Sequence, residues 1–179
     1  HGLLRSPQGE PGMAYFRNRG LAPKWIVHFG LGYAPGGRFS LVDHLKQAGF
    51  KPDEMIAANV AVRTRNGGAM DRFFDRVMFP IIDLKKNVIG FGGRVLDDSK
   101  PKYLNSADTP VFKKSKNLFS MNFAKNHLSD GRLILAEGYM DVIAVNQAGF
   151  ENVVATLGTA LTPEQARLIS SYAKEVIIA

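Results

Sequence analysis

Cysteine is absent from the 179 residues, which excludes disulfide frameworks and thiolate zinc sites. The absence fits a reducing compartment. No apolar run approaches the roughly 20 residues that a membrane-spanning helix requires, and no signal peptide is visible. The expectation is a soluble cytoplasmic protein. His28, His44 and His127 lack metal-ligand spacing. Internal repeats and low-complexity stretches are also missing. What remains is a chain with 45% hydrophobic residues, enough for one domain or two small ones.

Charge is unevenly spread, and the pattern says more than the total of +7. Residues 1–59 carry 7 Lys/Arg and 4 Asp/Glu, residues 60–116 carry 12 and 6, and residues 117–179 carry 4 and 6. A basic middle joined to a mildly acidic end predicts a polyanion held by one part and presented to carboxylates in the other. The plainer alternative is a solvated basic surface that serves solubility.

Residues 132–141, Arg-Leu-Ile-Leu-Ala-Glu-Gly-Tyr-Met-Asp, carry the clearest chemical signal. Leu133 to Ala136 reads as a buried strand, and residues 139–149 as the helix after it. Glu137 then lies at the carboxyl end of a strand, where open α/β sheets place their ligands. Asp141 falls in the first turn of the helix, with Gly138 expected to let the backbone turn tightly between them. Two carboxylates at a strand end predict a hard divalent cation, Mg²⁺ or Mn²⁺, with phosphates completing its shell. The alternative is a lone Glu on a turn and an Asp favoured by the helix dipole.

The chain reads in three blocks. Residues 1–58 look helical, with helices ending near Gly20, over 22–29 and 41–47, and from Pro52. Residues 59–116 look strand-rich. Arg76–Asp83 and Asn87–Arg94 read as two strands joined by a turn, and Pro80 predicts that the first is an edge or bulged strand. Residues 97–117 read as a long, irregular, basic loop. Residues 129–179 alternate as strand 132–136, helix 139–149, strand 152–157, helix 163–173 and strand 176–179. Thr162-Pro163-Glu164-Gln165 forms a helix start. This βαβαβ order implies a parallel sheet with right-handed crossovers. The fold class is α/β (α+β overall), with a basic subdomain over 1–128 and the parallel unit over 129–179. His1 begins without a cap and Ala179 falls inside an apolar run, so the stretch is expected to be part of a longer protein.

Several short motifs occur in one order: Tyr15-Phe-Arg-Asn-Arg19-Gly20-Leu21, Arg72-Phe-Phe-Asp-Arg76-Val-Met-Phe-Pro80, and Gly90-Phe-Gly-Gly-Arg94-Val-Leu96. Pro101-Lys102-Tyr-Leu-Asn105-Ser106, Phe112-Lys-Lys114-Ser-Lys116, Glu137-Gly-Tyr-Met-Asp141-Val and Leu157-Gly158-Thr159 follow. Together they resemble the catalytic core of bacterial replicative DNA primases across nearly the whole chain. The last block is similar to the opening of a TOPRIM domain, a fold shared with topoisomerases and some nucleases.

The resemblance implies template-directed synthesis of short RNA primers from ribonucleoside triphosphates on single-stranded DNA. A ribose 3′-oxygen would attack an α-phosphate and pyrophosphate would leave, with divalent metal offsetting the developing charge. Glu137 would be the catalytic acid, as metal ligand or proton-transfer group, and Asp141 a second metal ligand. Arg19, Arg72, Arg76, Arg94, Lys102, Asn105 and Lys114 match positions that bind nucleotide or nucleic acid. The family's Asp-x-Asp pair would fall beyond Ala179, so this stretch alone is expected to be inert. Its zinc-binding and helicase-binding parts would likewise lie outside this chain.

Read without the resemblance, Arg76 could pair with Asp71 or Asp75, and Arg94 with Asp97 or Asp98, as ordinary surface charges do. Asn105 could end a turn. Tyr103 and Phe112 could stack on bases, with core packing the favoured use of Phe112. Met70, Met78, Met121 and Met140 are read as core fillers. Two rivals stand beside the polymerase: a non-catalytic nucleic-acid-binding module on a TOPRIM-like half, and a TOPRIM nuclease or topoisomerase.

Overall fold

Proline and glycine punctuate the first helices where the pattern predicts. Helix α1 spans Glu10–Asn18 and ends before Gly20, whose φ of 72° suits a residue without Cβ. Helix α2 spans Pro23–His28 with its proline at the first position, where the missing N–H costs nothing. The structure, a computed structural model, describes residues 1–158 and 160–179. Thr159, the last residue of the Leu157-Gly158-Thr159 motif, lies outside the described residues.

The first block is not wholly helical. Strand β1, Gly32–Ala34, precedes α3, Ser40–Gln47, and α4, Pro52–Ala57. Strands β2, Ala61–Arg63, and β3, Ala69–Asp71, then form an antiparallel hairpin. Three-residue strands carry too few alternations to register as a period, and each owes its stability to its partner. The hairpin closes a small separate core of Val42, Met55, Ala61 and Ala69. Asp71 is buried there, and its carboxylate accepts from the backbone N–H groups of Leu41 and Val42, both at 2.8 Å. A residue 30 positions away thus satisfies the orphan donors that open α3.

Strands β4, Arg76–Ile82, and β5, Val88–Val95, form the expected antiparallel pair. The sheet order is β1-β4-β5-β6, so β4 is not an edge strand overall. Strand β1 stops opposite Met78, however, and leaves the β4 margin open at Pro80. The register breaks only between Ile81 and Ile82. The stretch 97–117 is less irregular than expected. Strand β6, Tyr103–Asn105, pairs with β5, and Lys114–Lys116 form a 3₁₀ turn.

The remaining elements are helix α5, Met121–Ala124, strand β7, Arg132–Ala136, helix α6, Tyr139–Gln147, and strand β8, Val153–Ala155. Helix α7, Pro163–Ser170, and strand β9, Glu175–Ile178, end the chain. Strands β8, β7 and β9 lie side by side and parallel. The βαβαβ expectation holds, with α6, α7 and β8 each a few residues shorter than read. Thr162 caps α7 through a reciprocal bond pair with Gln165. One core joins the four-stranded sheet to the parallel sheet and includes Phe16, Phe79, Phe112, Phe119, Tyr139, Val142 and Val153. Among the described residues, no helix is long and apolar enough to cross a membrane.

Ser120, which opens α5, is a strained point. It holds φ 70°, is buried, and its Oγ has no hydrogen-bond partner among the described residues. A left-handed non-glycine residue costs about 1–2 kcal/mol, and an unsatisfied buried hydroxyl a similar amount. Glycine's larger unfolded-state entropy opposes with about 0.5–1 kcal/mol. Ser120→Gly is therefore expected to stabilise by about 1–3 kcal/mol, raising Tm by roughly 2–4 °C for each kcal/mol. Thermal melts of the two proteins check it, and an unchanged or lower Tm counts against the strain.

Candidate functional site

The carboxylates sit where the strand–turn–helix pattern places them. Glu137 directly follows β7, and Asp141 lies in the first turn of α6, and both are exposed. Among the described residues, neither carboxylate has an ion pair. Gly138 departs from expectation. Its backbone is extended (φ −156°, ψ −178°), which any residue adopts. An added Cβ would make only ordinary contact with Asp141 Oδ2, at 3.5 Å. No third His, Cys, Asp or Glu joins the two acids in a metal-binding group among the described residues. Two hard oxygen donors match the usual Mg²⁺ set, in which one or two carboxylates are supplemented by water and phosphate.

Tyr139, the residue between the acids that sequence reasoning passed over, joins the two sheets. It is 4% exposed, and its ring stacks on Phe79 with centroids 4.9 Å apart and an interplanar angle of 8°. Phe119 closes its edge at 4.7 Å. Burial, aided by the neighbouring Tyr103, pushes its hydroxyl well above the usual tyrosine range. The group therefore acts as a neutral donor, and it donates to Asn105 Oδ1 at 2.8 Å. Asn105 in turn donates through Nδ2 to the Leu157 carbonyl at 2.7 Å, in the loop after β8. The Asn105 side chain is thus engaged across the joint.

Gly92 makes this joint possible. A Cβ there would lie 2.6 Å from three atoms of the Tyr139 side chain. Glycine at this position of β5 admits the close approach of an aromatic ring.

The arginines of the basic block divide by environment. Arg76 is 6% exposed and donates through Nη1 to the carbonyls of Pro101 at 3.0 Å and Gly93 at 3.4 Å. Burial lowers its pKa, with Asp97 opposing. Arg72 donates to the Asn105 carbonyl at 3.0 Å, and burial lowers its pKa too. Its Nε is buried with no partner among the described residues. Arg94 is buried and donates to the Val95 carbonyl at 3.2 Å. The ion pairs considered for Arg76 with Asp71 or Asp75, and for Arg94 with Asp97 or Asp98, do not form. Asp71 is committed to α3, and carbonyl oxygens meet both guanidinium groups first.

Aromatic rings interleave with these cations. Arg19, exposed beyond α1, lies 5.6 Å from the Tyr15 ring centroid. Arg94 lies 4.9 Å from the same ring and 5.7 Å from that of Tyr103. Tyr103 stands 6.3 Å from Tyr139 and is 43% exposed. Burial is the main cause of its raised pKa, with Tyr15 and, more weakly, Asp141 adding to the rise. A continuous run Arg19, Tyr15, Arg94, Tyr103, Tyr139 therefore leads from the basic block to the acidic turn. Cation–π contacts hold such a run together.

Lys102 is exposed beside this run, next in sequence to Tyr103. Lys114 is half-buried in the 3₁₀ turn, and its backbone N–H donates to Asp108 at 3.0 Å. Phe112 is fully buried, as expected. Among the missed residues, Gly92 and Tyr139 left one signal. Gly90 and Gly92 recur at a spacing of two in a strand, which bares one face for large neighbours. Asp71 left none.

Residues 1–125 match the family described as DNA primase catalytic core, N-terminal domain, and residues 131–179 match the Toprim domain. The DNA primase of Clostridium acetobutylicum is 52% identical over 165 residues, covering 92% of this chain and 27% of the relative. That of Deinococcus radiodurans is 44% identical over 177 residues, covering 98% and 31%. The chain thus spans between a quarter and a third of these relatives' length. Among solved structures, the E. coli primase catalytic core superposes with a TM-score of 0.90 at 38% identity, covering 99% of this chain and 57% of that one. A DnaG primase catalytic domain bound to ssDNA gives 0.89 at 38% identity, with 99% and 56% covered.

Proposed function

The chain belongs to the DNA primase catalytic core family, and from that premise we propose that it holds single-stranded DNA and nucleotide for the synthesis of short RNA primers in replication. The observation that carries this reading is the cation–aromatic run from Arg19 to Tyr103, which ends beside Tyr139 in the turn that bears Glu137 and Asp141. Such a run suits a single strand, whose phosphates need cations and whose bases need ring faces.

In this reading residues 1–128 track the polyanion and residues 129–179 bring the acids to it. Arg19, Lys102 and Lys114 contact phosphates. Tyr103 offers a ring face to a base. Arg72, Arg76 and Arg94 are largely spent on carbonyls and rings, so their part is to shape the groove wall. Asn105 fixes the joint. Glu137 and Asp141 are the residues that would hold Mg²⁺ or Mn²⁺. The bound ion would offset charge on the reacting phosphate. In this reading Glu137 would hold a metal ion or take the proton of the attacking 3′-hydroxyl. Ribonucleoside triphosphates, the growing primer, a replicative helicase and a cytoplasmic setting complete the proposal. The match over residues 1–125 favours a primase over topoisomerases and nucleases.

Binding of a single-stranded oligodeoxynucleotide across a salt series tests the basic half. Affinity is expected to fall steeply as salt rises. Lys102→Ala and Lys114→Ala should each weaken binding and flatten the slope of log affinity against log salt by about one unit or less. A salt-independent affinity, or no loss in the double variant, would mean that the block is a solvated surface.

A further inference from the structure

Buried glutamine is expensive unless every hydrogen-bonding group is met. Gln165, in the first turn of α7, is fully buried at 0% exposure and meets that condition. Its Oε1 accepts from the Thr162 N–H at 3.1 Å, which is the ordinary reciprocal cap of the helix. Its Nε2 does something a cap does not need. It donates to the carbonyl of Lys114 at 3.0 Å and to that of Asn117 at 2.8 Å, about 50 residues away. Thr162 is also used twice. Its Oγ1 accepts from the Gln165 N–H and donates to the Ser115 carbonyl at 2.6 Å. Two side chains thus hold three carbonyls of the segment bearing Lys113, Lys114 and Lys116. Asp108 holds it from the other side through the Lys114 N–H.

The place of α7 gives this clamp its meaning. The loop between β8 and α7 leaves the parallel sheet at the same end as Glu137, because β7 and β8 run in parallel with Ala136 opposite Ala155. The start of α7 therefore follows the carboxylate end of β8 in the chain and is tied to the lysine turn by three hydrogen bonds. We infer that Gln165, with Thr162, is a positioning residue that sets the Lys113–Lys116 turn against the carboxylate edge, so that Lys114 presents its charge to the bound strand. This rests on the nucleic-acid reading above, since it assigns Gln165 a part in that same site. Gln165 itself touches no substrate. It acts through Lys114.

The test is a double-mutant cycle read in the salt dependence of binding, with the full-length protein and a single-stranded oligodeoxynucleotide. Gln165→Met keeps the volume but removes both donors. It is expected to weaken binding several-fold and to flatten the salt slope by as much as Lys114→Ala does, about one unit or less. The double variant should lose no more than either single one, because both remove the same contact. A merely structural role would lower Tm but leave the slope alone, or would add its loss to that of Lys114→Ala. Either result overturns the inference. If Gln165→Met does not fold, Thr162→Val against Thr162→Ser supplies the same reading. Serine should restore the slope through its hydroxyl and valine should not, and equal slopes for the two would overturn it. A silent Lys114→Ala would instead remove the nucleic-acid reading, and the inference with it.

Discussion

Glu137→Gln, introduced into the full-length protein, is expected to cut primer synthesis by roughly 10²–10⁴-fold, the span for losing a positioned acid–base group. Affinity for single-stranded DNA should change little. The substitution keeps size and polarity and removes the charge, with one acceptor oxygen replaced by a donor NH2. Glu137 is exposed, follows β7 directly and pairs with no cation among the described residues, so folding does not depend on that charge. Its loss then falls on catalysis, whether the carboxylate holds a metal ion or takes a proton. A gel assay for primers beside an anisotropy assay for binding separates the two outcomes. Near-normal synthesis would reject the assignment, and a parallel fall in binding would make Glu137 part of the strand-holding surface.

Gly92→Ala should destabilise the protein by about 1–3 kcal/mol, the usual cost of overpacking. The sign is not obvious in advance. Alanine in place of glycine often adds about 0.4–1 kcal/mol of stability by restricting the unfolded chain. Here the new Cβ would fall 2.6 Å from the Tyr139 ring. That ring cannot retreat, because Phe79 stacks on it and Phe119 blocks its edge. Overpacking therefore exceeds the entropic gain. At Gly93 the nearest atoms, from Phe73, Arg76 and Met78, stand farther off at 3.0–3.2 Å, so Gly93→Ala should cost less. Urea titrations of the two variants give the order directly. Gly92→Ala should also lower primer synthesis, because Tyr139 stands two residues from Glu137 and its hydroxyl anchors Asn105. A Gly92→Ala protein as stable as the parent would mean that the ring has room to shift.

Legibility in the sequence followed element length and the distance between partners. The alternation of β7, α6, β8, α7 and β9 was readable because each element carries its own period or cap, as Thr162 and Gln165 do for α7. The carboxylate edge was readable for the same reason, since a strand that runs into Glu137 points it outward. Strands β1, β2, β3 and β6 were not readable. Each has three residues and is stabilised by a strand that could be far along the chain, as β1 is by β4. Arg76, Arg94 and Asn105 were picked out by the motifs, but their side-chain partners were not. Carbonyls of Pro101 or Leu157 leave no mark in a sequence. Asp71 and Gln165 were harder still, because each acts on backbone tens of residues away.

The hydrogen bonds between residues 1–125 and 131–179 come from uncharged groups: side-chain amides, the hydroxyls of Tyr139 and Thr162, and the backbone pair Phe119–Ala155. Gln147 of α6 donates to the Gly20 carbonyl and accepts from the Ala22 N–H. Asn105 bridges Tyr139 and Leu157, and Gln165 grips residues 114 and 117. Among the described residues, the one ion-pair contact across the division at residue 128 is the solvent-facing His127–Glu151 pair, at 2.9 Å, and none links residues 1–125 to residues 131–179. Mobile ions screen charges but leave neutral amide contacts almost untouched. Rising ionic strength should therefore loosen the grip on a polyanion without altering the groove that receives it. In the proposed reading, a bound strand would then be released in a salty medium while the contacts between the two parts persist.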